Sequence, residues 1–147
     1  MSIWMKNLII ADTGFWYALL NKSDYFHNRA VNALKNIDSS LCCTWPVITE
    51  TSYLLQSRSG QKVTREFLNA YNEGLYQIYE LKAGQMPRIV TLMQKYADLP
   101  MDLADASLVV LAEDLGHGRI LSTDQRDFKA YRWKNHKPFH NLLFPDD

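Results

Sequence analysis

Four short segments of this chain set a carboxylate among apolar residues: Leu8-Ile9-Ile10-Ala11-Asp12-Thr13, Val47-Ile48-Thr49-Glu50, Asp102-Leu103-Ala104-Asp105-Ala106 and Ile120-Leu121-Ser122-Thr123-Asp124. A carboxylate in such surroundings loses hydration and needs a hydrogen-bond partner or a cation in return. A single one would pass as a helix cap or ion-pair partner, but several need a shared cause. A hard divalent ion such as Mg²⁺ or Mn²⁺ supplies one, because it takes oxygen ligands and keeps water for chemistry. The pattern points to metal-dependent hydrolysis, in which activated water replaces a cysteine or histidine nucleophile. His27, His117, His136 and His140 are dispersed without metal-ligand spacing, and Ser122 lacks the G-x-S-x-G setting of an activated serine.

Each acid also has an ordinary structural reading. Asp102 can be a helix N-cap with Asp105 facing the first-turn amides, and Glu50 sits in the first turn after Pro46, where negative charge suits the helix dipole. Asp12 can cap a helix starting at Gly14, and Asp124 can make an Asx-turn with Gln125-Arg126. What favours a common site is position, since Asp12, Glu50 and Asp124 each follow a strand-like segment.

Those segments come from the apolar pattern. Residues 8–11 read as a short buried strand, with Thr13 as cap of a helix over 14–20. Phe26, Ala30, Ala33, Leu34 and Ile37 fall at helical spacing, which predicts an amphipathic helix over 25–37 capped by Ser23 or Asp24. Residues 41–45 read as a second strand, with Pro46 opening a helix through Leu55 and another helix over 63–71. Alternation over 75–81 predicts a strand, followed by helices over 87–96 and 102–115 separated by Leu99-Pro100. Gly116-His117-Gly118 ends the last of these, 119–122 forms another strand, and an edge strand is expected near 139–143. Strands alternating with helices argue for an α/β sandwich whose parallel sheet binds ligands at its carboxyl ends.

Composition sets the outer bounds. The 147 residues suit one domain spanning 1–147, and 47% hydrophobic with 22% charged residues excludes wholesale disorder. Lys+Arg and Asp+Glu both number 16, so net charge says nothing about a nucleic-acid partner and distribution must. Arg126, Lys129, Arg132, Lys134 and Lys137 follow Asp124, interleaved with Phe128, Tyr131 and Trp133, a mixture able to hold phosphates and stack on unpaired bases or, alternatively, a solvated face with its aromatics in the core. Arg58, Lys62 and Arg65 form a weaker second patch. Adjacent Cys42 and Cys43 would point to opposite faces of a strand, so a disulfide between them is not expected and a reduced pair suits a cytoplasmic protein. Neither a membrane span nor an N-terminal leader is expected from the apolar runs.

At the level of motifs, Ile9-Ile10-Ala11-Asp12-Thr13, Val47-Ile48-Thr49-Glu50-Thr51, Asp105-Ala106-Ser107-Leu108-Val109-Val110-Leu111-Ala112 and Ser122-Thr123-Asp124-Gln125-Arg126-Asp127-Phe128 resemble, in order and spacing, the successive motifs of PIN-domain ribonucleases. The chain is most similar to the compact toxins of the VapC type. The resemblance implies a PIN-like three-layer α/β/α sandwich with a mainly parallel central sheet, and an endoribonuclease in which Asp12, Glu50, Asp105 and Asp124 bind Mg²⁺ or Mn²⁺. It further implies Thr13 and Thr123 as hydroxyl neighbours, Asp102 and Asp127 at the rim, and Arg126, Lys129, Arg132 and Lys134 as RNA contacts. Toxins of this type pair with a small antitoxin and commonly form homodimers; Phe15, Trp16, Leu19 and Leu20 with the 26–37 face would then be either core or a groove for that partner. Rival readings are a non-catalytic RNA-binding or regulatory module, an RNA-processing nuclease without an antitoxin, and a DNA flap nuclease, the last disfavoured by small size.

Overall fold

The computed structural model describes residues 7–146. The stretch weighed as a leader falls largely on 1–6, outside the described residues. Ile9–Ala11 (β1) is followed by Thr13–Leu20 (α1), His27–Lys35 (α2), Leu41–Thr44 (β2), Trp45–Arg58 (α3), Gln61–Asn72 (α4) and Tyr76–Tyr79 (β3). Met86–Lys95 (α5), Leu103–Leu115 (α6), Arg119–Leu121 (β4), Gln125–Ala130 (α7), Arg132–Trp133 (β5), Lys137–Pro138 (β6) and His140–Asn141 (β7) complete the order.

Five strands form one sheet in the order β3-β2-β1-β4-β7, every neighbouring pair parallel. All of Ile9, Ile10 and Ala11 are buried, as expected of a central parallel strand covered by helices on both faces. β5 and β6 form a separate antiparallel ribbon. The result is the α/β sandwich with a parallel sheet that the alternation of strands and helices predicts.

Register carries this order into a site. Ala11 pairs with Leu121, and the Asp12 amide donates to the Leu121 carbonyl at 3.1 Å, so the residues that leave β1 and β4 emerge side by side. β2 runs straight into α3, with Pro46 in the first turn, where its missing N–H costs nothing. The buried hydroxyls of Thr44 and Ser107 meet at 2.6 Å and pin α6 to the end of β2.

Several boundaries differ from the sequence expectation for local reasons. Asp12 rather than Thr13 caps α1, and α2 begins at His27 because Asp24 accepts from the Phe26 amide and holds that stretch in a turn. Trp45 belongs to α3, not to the second strand. Residues 125–130 are a helix instead of an isolated Asx-turn, too short for an apolar period to reveal. Cys42 and Cys43 are free and buried, and burial pushes the Cys42 thiol up to about 12. Among the described residues no helix is long and apolar enough to cross a membrane.

Candidate active site

Asp12, Glu50, Asp105 and Asp124 line one cleft of about 590 Å³, together with Thr13, Asp102, Thr123 and Asp127. The carboxylates come from four chain segments, two of them at the carboxyl ends of the adjacent strands β1 and β4. The capping readings also hold. Asp12 Oδ1 accepts from the Thr13 amide at 2.7 Å, Asp102 Oδ1 from the Asp105 amide at 2.8 Å, and Asp124 Oδ1 from the Asp127 amide at 3.2 Å. Asp105 Oδ2 accepts in return from the Asp102 amide at 3.4 Å, closing a capping box. Capping and site-building are one arrangement here: a cap engages one lone pair of a carboxylate that has about four, and fixes its rotamer at the rim.

Asp12 is the most enclosed of the four acids, at 6% exposure. Its Oδ2 accepts from the Ser122 hydroxyl at 2.9 Å, and Ser122 Oγ in turn accepts from the Asp124 amide at 2.9 Å. Ser122 is itself held by Asn141 of β7, whose Nδ2 donates to the Ser122 carbonyl at 2.8 Å while its Oδ1 accepts from the Ser122 amide at 3.2 Å. Sequence reasoning weighed Ser122 only as a nucleophile and missed Asn141. The signal was the Ser-Thr-Asp run at a strand end, read there for Thr123 alone.

Thr123 packs against Gly14, where an added Cβ would collide with Thr123 Oγ1. Only glycine lets the two segments approach this closely. Tyr131, fully buried beside Phe128 and Tyr96, donates its hydroxyl to Asp105 Oδ2 at 3.2 Å.

Burial dominates the electrostatics. It raises the Asp12 carboxyl to about 7, opposed by the Ser122 and Thr13 hydrogen bonds and reinforced by the charges of Glu50 and Asp124. Asp105 is pushed up to about 8, first by burial and then by Asp12 and Asp102. Glu50 and Asp124 are also raised, with burial the largest cause for each. The Thr13 hydroxyl, buried beside Glu50, falls short of a regular hydrogen bond but is near enough to offset part of that rise. No lysine or arginine forms an ion pair with Asp12, Glu50, Asp105 or Asp124 among the described residues; Arg126 pairs instead with Asp127 at 3.2 Å.

A cluster of desolvated carboxylates, none of them ion-paired to the two arginines that line the same cleft, has the oxygen-donor chemistry a hard divalent ion takes. The described residues do not close to a ready-made cage of three ligands. Mg²⁺ and Mn²⁺ are commonly held by one or two carboxylates, with water and phosphate oxygens completing the shell. The unsatisfied Thr13 hydroxyl is a further polar group suited to such water.

The expected basic contacts are split. Arg126 lines the cleft, whereas Lys129, Arg132 and Lys134 do not. Arg132 Nη1 donates to the carbonyls of Lys129 and Tyr131, and Lys134 occupies the β5–β6 turn with φ 48°. Phe128, Tyr131 and Trp133 are core residues, which is the second of the two readings open for that segment. Arg58, from the patch that looked weaker in sequence, is the other arginine at the cleft.

No family model matches the chain. Ribonuclease VapC26 of Mycobacterium tuberculosis (strain ATCC 25618 / H37Rv) is 26% identical over 124 residues, covering 84% of this chain and 92% of that protein. The crystal structure of Mycobacterium tuberculosis VapC20, a Sarcin-Ricin loop cleaving toxin, superposes with a TM-score of 0.78 at 21% identity, covering 88% of this chain and 99% of that one. The fold is PIN-like, and the likeness to VapC-type proteins read from the motifs is supported by both comparisons.

Proposed function

We propose that this chain, similar over most of its length to VapC-type PIN-domain ribonucleases, is an endoribonuclease that depends on Mg²⁺ or Mn²⁺ and serves as the toxin of a toxin-antitoxin pair. The observation that supports the metal reading is the acidic cleft itself: four carboxylates from separate elements, each raised chiefly by burial, with no basic side chain ion-paired to them. Such charges destabilise the fold unless a cation meets them.

Asp12, Glu50, Asp105 and Asp124 would hold the ion. When bound it supplies a water of lowered pKa and offsets charge on the phosphodiester. The chain does the rest by positioning. Ser122 orients Asp12 and the Asp124 backbone together, Asn141 fixes Ser122, and Tyr131 and the Asp102 amide set the rotamer of Asp105. Arg126 and Arg58 bring positive charge to a cleft that would otherwise repel RNA.

On this reading the partners are RNA, a small antitoxin and a second copy of the chain, and the protein acts in the cytoplasm. The antitoxin reading is supported by an apolar groove of about 370 Å³ lined by Trp16, Leu19, Leu20, Leu34 and Phe67, where Trp16 and Phe67 also belong to the core. Exposed Trp45, Tyr53 and Leu103 offer an apolar face for the second copy. The test is cleavage of a panel of structured RNAs by purified protein freed of partners. Cutting with Mn²⁺ or Mg²⁺, none with EDTA, and loss of cutting in Asp105→Asn are expected. Equal cutting by the variant would overturn the assignment.

A further inference from the structure

The rim of the acidic cleft carries a group that the metal chemistry leaves unused. Tyr25 is 92% exposed, more than any other large apolar side chain among the described residues, yet it lines the same cleft as the acids. A tyrosine ring left in water has no stabilising reason to be there, and a mobile loop would be the ordinary explanation. The surrounding bonds argue otherwise. The Phe26 ring meets Tyr25 edge-on at 4.9 Å between centroids and is itself packed edge-on against Phe144 at 5.4 Å. Asp24 accepts from the Phe26 amide at 2.9 Å, and the Asp24 amide donates to the Asn21 carbonyl at 3.0 Å. Asn21 Nδ2 donates to Tyr17 Oη at 2.8 Å, and the face of Tyr17 carries the Arg58 guanidinium at 5.4 Å from its centroid. One connected set of contacts thus holds an exposed aromatic ring and an arginine on a common rim.

We infer that Tyr25 and Arg58 form a nucleotide subsite beside the reacting phosphodiester, with Tyr25 as a stacking platform for one unpaired base and Arg58 as the contact for an adjacent phosphate. The inference rests on the ribonuclease reading above and specifies the form of its substrate: an unpaired nucleotide, since a base inside a duplex has no free face to offer a ring. Aromatic stacking of this kind is tolerant of base identity, so the subsite selects for single-strandedness more than for sequence. A planar guanidinium held over a ring is already oriented for a phosphate and loses little freedom on binding one. Arg126, on α7, offers a second phosphate contact from the same cleft.

The test is fluorescence anisotropy of a labelled single-stranded RNA 12-mer in EDTA, where metal-dependent cutting is off, across a series of salt concentrations. Cleavage of the same RNA in Mn²⁺ runs in parallel. Tyr25→Ala is expected to weaken binding about 10-fold or more without changing the salt slope, and Tyr25→Phe and Tyr25→Trp to retain binding, because the ring is what acts. Arg58→Ala is expected to lower the salt slope by about 0.7, the increment for one single-strand phosphate contact. Circular dichroism melts establish that each variant is folded. Wild-type-like binding by folded Tyr25→Ala, with wild-type cleavage intact, overturns the subsite alone. Equal losses in Tyr25→Phe and Tyr25→Ala overturn the stacking role, because the hydroxyl would then be the contact. If Tyr25→Ala keeps its RNA affinity but loses a copurifying protein, Tyr25 is a protein contact and the inference fails. Failure of the wild type to bind or cut any RNA removes the ribonuclease reading and the subsite together.

Discussion

Metal binding to this cleft should expel protons, in a number that depends steeply on pH. Burial and mutual repulsion raise Asp12 to about 7 and Asp105 to about 8 in the metal-free fold, so below those values both carboxyls hold a proton. An ion that binds them ionised must displace what they hold. Because the Asp12 charge helps to raise Asp105, the two titrate as a pair, which releases more than about one proton at pH 6.5 and only a small fraction of one at pH 9. Isothermal titration of Mn²⁺ into the protein, repeated in buffers of different ionisation enthalpy, reads that number as the slope of observed heat against buffer heat. Asp12→Asn should reduce the slope at pH 6.5 by somewhat under one proton and weaken binding. A slope near zero at pH 6.5 would refute the reasoning, because it would mean that the cleft is already ionised without metal or that the ion binds elsewhere.

Four further outcomes follow from the same geometry. For metal-free protein the sign is that of raised carboxyls: their contribution to stability is fully present below about pH 4 and is lost as pH rises towards 7 to 8, with Asp12 alone worth on the order of 4 kcal/mol; melts from pH 4 to 8 should fall, and Mn²⁺ at a hundred times its Kd should restore roughly 2.7 kcal/mol at the upper end. Asp12→Asn removes an uncompensated buried charge, so at pH 8 in EDTA it should melt above the wild type while losing its response to Mn²⁺. Ser122→Ala deletes the donor to Asp12 and the acceptor for the Asp124 amide; Mn²⁺ affinity measured by titration should drop about 10- to 100-fold, the usual effect of losing an outer-shell partner. Gly14→Ala drives a methyl into Thr123 Oγ1 and should lower stability by about 1 to 3 kcal/mol in urea unfolding while also weakening Mn²⁺ binding, whereas a surface Gly84→Ala, where no atom lies within 4 Å of the new carbon, should leave metal affinity unchanged.

The centre of the sheet was legible because β1, β2 and β4 are built on short apolar runs, and β3 through its alternation, while the most regular helix, α6, carries both its start signal at Asp102 and its stop at Gly116, whose φ of 78° suits glycine. The acidic residues were legible for a related reason: each is a carboxylate set beside an apolar run, where its loss of hydration needs an explanation. What the sequence concealed was long-range. Asn141 meets Ser122 across 19 residues through strand pairing, and Ser122 reaches Asp12 across 110. The arginines of the cleft were only half legible: Arg126 follows Asp124 directly in sequence, whereas α3 delivers Arg58 from 66 positions upstream, and Lys129, Arg132 and Lys134 lie outside the cleft lining. Phe128, Tyr131 and Trp133, for which the core was one of two readings, form the packing face of that segment, whereas Tyr25, expected to open an amphipathic helix over 25–37, precedes α2 and is the exposed ring at the cleft.

The most direct test of the central claim is the chemistry of the ends left on cut RNA. If water attacks with the help of an ion that Asp12, Glu50, Asp105 and Asp124 would hold, the cut RNA is expected to carry linear phosphate and hydroxyl termini, only when Mn²⁺ or Mg²⁺ is present, and none in Asp12→Asn. Ends bearing a 2′,3′-cyclic phosphate, or cutting that persists in EDTA, would contradict the account by showing that the RNA's own 2′-hydroxyl is the nucleophile and that the acidic cleft does not carry the reaction.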